Sequence, residues 1–326
     1  MGLTVQRADL DSLESEWREI LPRCSVRSVF LSPTFLRAWW SEFADGRELM
    51  LLAVRDGEAL TAVVPLMRDG NRLTFAGNTK VCDYMDFTCL AGREAEAAAA
   101  VLRALSEEPW DELALWAVRE DSAVLAALTG LCGEMGLTVE REVEDVCPQI
   151  ALTGDWEEYI SALDKKDRHE LRRKLRKLPQ AGEVELEVLT APADLEAALD
   201  DFLRMMRDSR SDKANFMTER MERFFRRLVA DLAPEGVLEM IFLKLAGRRT
   251  AAVLCFDGAD ETLLYNSGYD PEFSPFSVGL LSKAIALQRA IEHGKKRFDF
   301  LRGHERYKYE LGARDFSVYR VAIRRG

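Results

Sequence analysis

Along the chain, stretches in which apolar residues recur every three to four positions alternate with short runs that are apolar throughout or at every second position. The first pattern marks a helix with one buried face, the second a strand. Leu3–Val5 predicts a short strand, and Asp11 with Glu14 three residues on predicts a capping-box-like start for a helix reaching Ile20. Ser32 and Pro33 are the N-cap and first-turn residues expected of a second helix, TFLRAWWSEFA, with Trp39-Trp40 partly on its core face. LMLLAVR and ALTAVVPLM flank Asp56-Gly57, a dipeptide that accepts the positive φ angles of a tight hairpin, and RLTFAG adds a third strand after Asp69-Gly70-Asn71. A helix near 93–107, a buried strand over 113–118, a helix over 121–135 and strands near 137–142 and 147–152 complete a first half.

The same order then returns. After a helical stretch over 155–178 come a strand at 184–189, helices near 192–208 and 217–232, and the strands VLEMIFLKL, TAAVLCF and TLLYNSG. A helix over 277–293 follows, with Ser277 as expected N-cap and Gly294 just past its end, then RFDFL, a helical turn near 305–311 and a strand through 318–323. Corresponding elements are offset by 181 to 189 residues, which points to duplication. The expected fold class is α+β, two mixed sheets flanked by helices. The expected division is 1–153 for a first domain, 154–182 for a basic helical linker and 183–326 for a second domain.

The chain has 326 residues, 48% of them apolar, enough for about two domains with buried cores. No run approaches the ~18 consecutive apolar residues of a membrane span, and the first six residues lack the basic-then-apolar pattern of a secretion signal. A cytoplasmic location is therefore expected. The six cysteines form no C-x-x-C and the three histidines no H-x-x-x-H, so no metal is expected. A net charge of −11 argues against nonspecific DNA coating. Two stretches depart from it: 165–177 (KKDRHELRRKLRK) and 295–326 are each +6, leaving −23 for the rest. They are either sites for a phosphate-bearing or carboxylate-bearing ligand or solvated faces; for the first, Leu171, Leu175 and Leu178 form an apolar stripe whose wet side the charges would be.

YNSGYDPEFSPFSVGLL (265–281) followed by FDFLRGHERYKYELGA (298–313) resembles the signature of the CelD-like, or cellulose-biosynthesis-type, acyltransferases of the GNAT superfamily. The repeated order of elements is similar to that of two fused GNAT domains, as in the FemAB-like branch. FLSPTFLRAWW, AVVPL, VCDYMDF and SALDKKDRHELRRKLRKL fall where that family has similar segments. The resemblance implies transfer of an acyl group from a thioester, acetyl-CoA or another acyl-CoA, to an amine acceptor, whether a small molecule, a saccharide or a peptide. FemAB-like relatives use aminoacyl-tRNA instead, which makes tRNA the partner in the alternative reading. The superfamily's pyrophosphate loop, Q/R-x-x-G-x-G/A, is replaced by Ser274-Pro275-Phe276-Ser277-Val278-Gly279. That departure keeps open a third possibility, a non-catalytic binding module on the same scaffold.

A diphosphate-bearing donor needs backbone N–H groups and the positive end of a helix dipole. Residues Ser277, Val278, Gly279 and Leu280 are the expected donor-binding terminus, with Arg302 beside it; equally, they form an ordinary capped helix start. Aminolysis needs a base, an oxyanion stabiliser and a proton for the thiolate. His304, Tyr307 and Lys308, after a buried strand, are the candidate catalytic residues. The resemblance implies a tyrosine acid on the following helix; counted back from Gly312, Tyr309 is one residue too close and Tyr307 one too far, and the Tyr-Lys pair favours Tyr307. His304 is either a base or a surface histidine. Asp299 either takes a structural partner such as Arg297 or Arg302 or serves the site. Asp83, Tyr84 and Asp86 are expected to face an inter-domain cleft and recognise a cationic amine, or to be turn and strand-edge residues. The first domain, lacking a comparable Ser-x-Gly loop, is expected to provide recognition rather than chemistry.

Overall fold

In the computed structural model, which describes residues 2–325, the chain forms two compact units, Met1–Val146 with Phe316–Gly326, and Cys147–Asp315. The first contains β1 (Thr4–Ala8), α1 (Leu10–Ile20), α2 (Pro33–Phe43), β2 (Glu48–Asp56), β3 (Ala59–Asp69), β4 (Arg72–Phe75), β5 (Thr88–Cys89), α3 (Glu94–Ser106), β6 (Glu112–Arg119), α4 (Ala123–Glu134) and β7 (Leu137–Val146). The second contains β8 (Gln149–Ala151), α5 (Trp156–Ala162), α6 (Lys165–Lys177), β9 (Val184–Leu189), α7 (Pro192–Ser209), α8 (Ser211–Phe216), α9 (Glu219–Leu232), β10 (Leu238–Leu245), β11 (Arg248–Asp257), β12 (Glu261–Tyr269), α10 (Val278–Glu292), β13 (Arg297–Asp299) and α11 (Arg306–Glu310). The chain ends in β14 (Ser317–Arg325), which returns to the first unit.

The local signals act as their chemistry requires. Gly57 and Gly70 take φ of 60° in the two hairpin turns, and Ser32 accepts the N–H of Phe35 at the start of α2. At α1 the cap is Asp9, which accepts the N–H of Ser12, rather than the expected Asp11. Asp11 and Glu14 are instead drawn to the Arg37 guanidinium at 2.7 and 2.6 Å.

Both sheets are mixed. The first runs β1-β2-β3-β4-β6-β14-β7, with β5 also on β3, and its one parallel pair joins β4 to β6. The second runs β8-β13-β12-β11-β10-β9, with β12 and β13 its parallel pair. This overturns two placements. The strand over 318–323 is expected to close the second half, yet it lies inside the first sheet between β6 and β7. The strand over 147–152 is expected to close the first half, yet β8 pairs with β13 in the second sheet. Alternation reveals that a stretch is a strand and which side is apolar, but hydrogen-bond partners distant in sequence decide the sheet.

The basic stretch of α6 has the apolar stripe and charged outer side expected of a solvated helix face. Leu171 and Leu178 are buried, Arg172 and Arg173 pair with Glu157 and Glu170, and Lys177 donates to the Pro275 carbonyl at 3.0 Å. Much of the 295–326 stretch is paired with acids: Lys295 with Asp257, Arg297 with Glu261, Arg320 with Glu144 and Arg324 with Glu140. No helix among the described residues is long and apolar enough to cross a membrane.

Ile323 on β14 is fully buried. Ile323→Ala should destabilise the first unit by about 2–5 kcal/mol. Five of the six tryptophans lie within residues 1–146, so denaturant unfolding followed by tryptophan fluorescence reads that unit directly.

Candidate active site

In the second unit, β12 and β13 run side by side for only three pairs, ending at Leu263 and Asp299. β12 continues along β11 to Tyr269, while Phe300 donates its N–H to the carbonyl of Pro148 on the opposite side. The parallel pair therefore splays, and beyond Leu263 β12 has no strand partner on that side. Such an edge offers backbone N–H and C=O groups to an extended ligand.

The exit from β13 is held by two buried charges. Leu301 has φ of 58°, a left-handed conformation that costs a bulky residue of order 1–3 kcal/mol. Asp299, fully buried, accepts the Leu301 N–H at 2.7 Å. From α11, Lys308 reaches back and donates to the carbonyls of Leu301, Arg302 and Gly303, each at 2.8 Å, and to Glu305 Oε2 at 2.9 Å. An ammonium has three donors, so nothing of Lys308 is left for a substrate. Lys308, expected among the catalytic groups, is a structural clamp. Asp299, expected to bind substrate, holds the loop backbone, and Arg297 pairs with Glu261 instead.

At the C-terminal end of these strands lies a cleft of about 350 Å³ bordered by the end of β12, the start of α10, α8 and α11. Ser277, Gly279 and Leu280 line it. Ser277 occupies the N-cap position but has φ of 58° and ψ of 31°, and its side chain makes no capping bond. An N-cap serine works from extended backbone, so the expected cap is corrected here. The N–H groups of Leu280 and Leu281 both reach Ser277 O at 3.0 Å, leaving those of Val278 and Gly279 without an acceptor among the described residues. The Val278 side chain itself is fully buried in the core. At Gly279 a Cβ would meet the Tyr269 ring at 2.8 Å, so glycine lets α10 pack onto that ring.

The walls are cationic. Lys174, Arg210, Lys213 and Lys283 line the cleft against Glu305 and Glu310. Each carboxylate is already paired, Glu305 with Lys308 and Glu310 with Arg306 at 2.8 Å. Burial works to raise the Glu305 carboxyl, but Lys308 outweighs it and holds the group below its ordinary value. Lys213 donates to Asn266 Oδ1 at 3.2 Å, to Ser267 Oγ at 3.4 Å and to the Ser267 carbonyl. Burial lowers its pKa to about 8. Lys283, only 8% exposed, donates to the Gly279 carbonyl at 2.6 Å and sits 5.0 Å from the Tyr307 ring. Burial, reinforced by the Lys213 charge, lowers it to about 7. Among the described residues, neither amine has a carboxylate within ion-pair distance.

Tyr307 faces this cleft, its ring edge-on to Phe300 at 6.0 Å and its hydroxyl without a protein hydrogen bond among the described residues. Burial raises its pKa, and Glu305 adds to the rise. Tyr309 points elsewhere, its hydroxyl donating to Asp315 at 2.6 Å. His304 is exposed and neither it nor Arg302 lines the cleft; Arg302 is half-buried. In the first unit, Tyr84 is 1% exposed among Phe30, Phe316 and the Arg119 guanidinium, a core position rather than a recognition surface. Asp86 is also buried, accepting the Phe87 N–H at 2.8 Å; burial raises its pKa to about 7 against the opposing hydrogen bond from Ser122. Asp83 is half-buried.

Lys213 and Lys283 were not anticipated. The signal for Lys283 was present in the sequence: a lone cation within the otherwise apolar first turns of the helix, VGLLSKAIAL. Lys213 carried none, being one charge among many in RDSRSDK. Among the described residues, no group of three or more His, Cys, Asp or Glu comes together to hold a metal ion.

Residues 165–309, wholly within the second unit, match the family model of the acetyltransferase (GNAT) domain. The chain thus carries a GNAT-type transferase domain. Its fold as a whole is that of the double-GNAT branch. It is similar to FemX (TM-score 0.66, 11% identity, covering 97% of this chain and 96% of that one). It is similar also to L-PGS from Bacillus licheniformis (0.60, 12%, 98% and 93%), and to a tandem GNAT protein from the clavulanic acid biosynthesis pathway (0.52, 12%, 98% and 98%). No curated protein sequence matches.

Two outcomes follow from these contacts. Lys308→Met should cost about 3–5 kcal/mol, since Glu305 and three carbonyls lose their partner while the volume stays filled; a lowered denaturation midpoint of the second unit checks it. The raised pKa of Asp86 means that its contribution is present in full below its ordinary value near 3.8 and fades as pH rises through about 7. Asp86→Asn should therefore gain stability relative to the parent on going from pH 5 to pH 8, measured as the difference in unfolding midpoints.

Proposed function

We propose that the second unit binds an acyl-CoA, acetyl-CoA being the simplest, and transfers its acyl group to an amine. The observation that carries this reading is the combination, in one cleft, of an uncapped helix start, two lysines, Lys213 and Lys283, with no carboxylate partner among the described residues, and a tyrosine hydroxyl with no protein hydrogen bond among them. The open N–H groups of Val278 and Gly279, with Lys174 nearby, suit the donor's diphosphate. The splayed edge of β12 suits an extended arm rich in amides. Tyr307 then supplies the proton for the departing thiolate; its raised pKa keeps that proton in place until charge develops on sulfur.

For the first unit we propose acceptor recognition, with Asp83 the one of Asp83, Tyr84 and Asp86 that is not buried in the core. The acceptor class follows from the reaction: an amine on a small molecule, a saccharide or a peptide. That Lys295, Arg297, Arg320 and Arg324 are paired with acids favours a thioester donor over tRNA, since a phosphate backbone is held by cations not already engaged. A reducing, cytoplasmic setting suits the six buried thiols.

Isothermal titration with acetyl-CoA tests the assignment. Micromolar binding is expected, weakened at least tenfold by Gly279→Val. Tyr307→Phe should leave that affinity unchanged and lower amine-dependent thiol release by about 10²-fold. Equal loss of both would make Tyr307 a binding residue, and binding of tRNA without any thioester would move the donor assignment to aminoacyl-tRNA.

A further inference from the structure

Once thioester transfer is assigned to this cleft, a proton remains unaccounted for, because an amine acceptor arrives at neutral pH as an ammonium ion and cannot attack until it is deprotonated. We propose that Lys283 is the general base that takes this proton. The inference rests on the acyl-transfer reading and follows from the hydrogen bonds around the cleft.

The carboxylates are excluded first. Glu305 is bound to Lys308, which keeps it ionised and weakly basic, and Glu310 is bound to Arg306. His304 does not line the cleft. Of the two amines, Lys213 spends three donors on Asn266 Oδ1, Ser267 Oγ and the Ser267 carbonyl, an arrangement that requires all its protons. Lys283 makes one bond, to the Gly279 carbonyl, and needs one proton for it. Its other two positions, one N–H and one lone pair in the neutral amine, are directed at neither a carboxylate nor a carbonyl. The charged and titratable groups around it are Lys213, Arg210, Glu305, Lys308 and Tyr307. Burial and the Lys213 charge leave its amine half-unprotonated at about pH 7, the value a general base needs to work at neutrality.

The step balances. Lys283 takes a proton from the acceptor ammonium; the freed amine forms the C–N bond at the thioester carbonyl, and the C–S bond breaks as Tyr307 protonates the thiolate. The tyrosinate recovers its proton from the amide nitrogen, and the Lys283 ammonium returns its own to solvent. Tyr307 and Lys283 are thus an acid and a base on adjacent elements of one cleft, α11 and α10, with the lysine nitrogen 5.0 Å from the tyrosine ring.

The test uses the full chain with acetyl-CoA, and glucosamine and hydroxylamine as acceptor probes. Glucosamine is an ammonium ion at pH 7, whereas hydroxylamine is already neutral and needs no base. Lys283→Met and Lys283→Arg should each lower thiol release with glucosamine by about 10²-fold or more. Hydroxylamine should rescue both to within about threefold of the parent, with acetyl-CoA affinity unchanged. Independently of any acceptor, competitive labelling of the parent with fluorodinitrobenzene across pH 5–10 should modify Lys283 with a midpoint near 7, and acetyl-CoA should protect it. Activity retained by the Arg variant would make Lys283 a counter-charge and overturn the base role, as would labelling only above pH 9. Loss of the hydroxylamine reaction together with the glucosamine reaction would make it structural. Failure of acetyl-CoA to bind the parent at all removes the transfer reading, and the base role with it.

Discussion

The second unit turns on one ammonium group. Lys308 binds three successive carbonyls of the segment leaving β13, while Asp299 holds the N–H of Leu301 from below. Buried charges of this kind are costly in isolation and are tolerated where every donor finds an acceptor. Here the bonds stabilise a left-handed leucine, and that conformation turns the chain away from β12. The strand splay, the orientation of α11 and the exposure of Tyr307 to the cleft all descend from it.

The same cleft shows how electrostatic imbalance is produced without an excess of lysines in the sequence. Its two carboxylates are paired with Lys308 and Arg306, and the direct hydrogen-bond partners of Lys213 and Lys283 are all neutral oxygens. Burial lowers both, and the Lys213 charge lowers Lys283 further. In a chain of net charge −11, the local field is set by which acids are already engaged and owes little to the total.

Most elements were legible in the sequence because their signals are local. Asp56-Gly57 demands a hairpin, Ser32-Pro33 starts a helix, and the apolar run of β6 is a buried strand whatever surrounds it. The segment over 277–280 and Tyr307 were singled out by motif order, and both line the cleft except for the side chain of Val278. What was not legible depended on which groups the fold packs together and on backbone angles. Tyr84 and Asp86 look like a polar turn until Phe316, Arg119 and Ser122 bury them. Lys308 looks like a catalytic cation until three carbonyls, five to seven residues back, take its protons. Ser277 has the right residue type for a cap but the wrong backbone angle, which no composition reveals.

Because β14 is the last strand in the chain and an interior strand of the first sheet, synthesis and folding run in opposite orders. The first unit begins to emerge from the ribosome before the second, yet it must wait for the final residues, with the facing edges of β6 and β7 unpaired in the meantime. The second unit, continuous from Cys147 to Asp315, has all its strands before β14 exists. The half translated first is therefore finished last, and the transferase half is assembled before the partner unit that its own chain end completes.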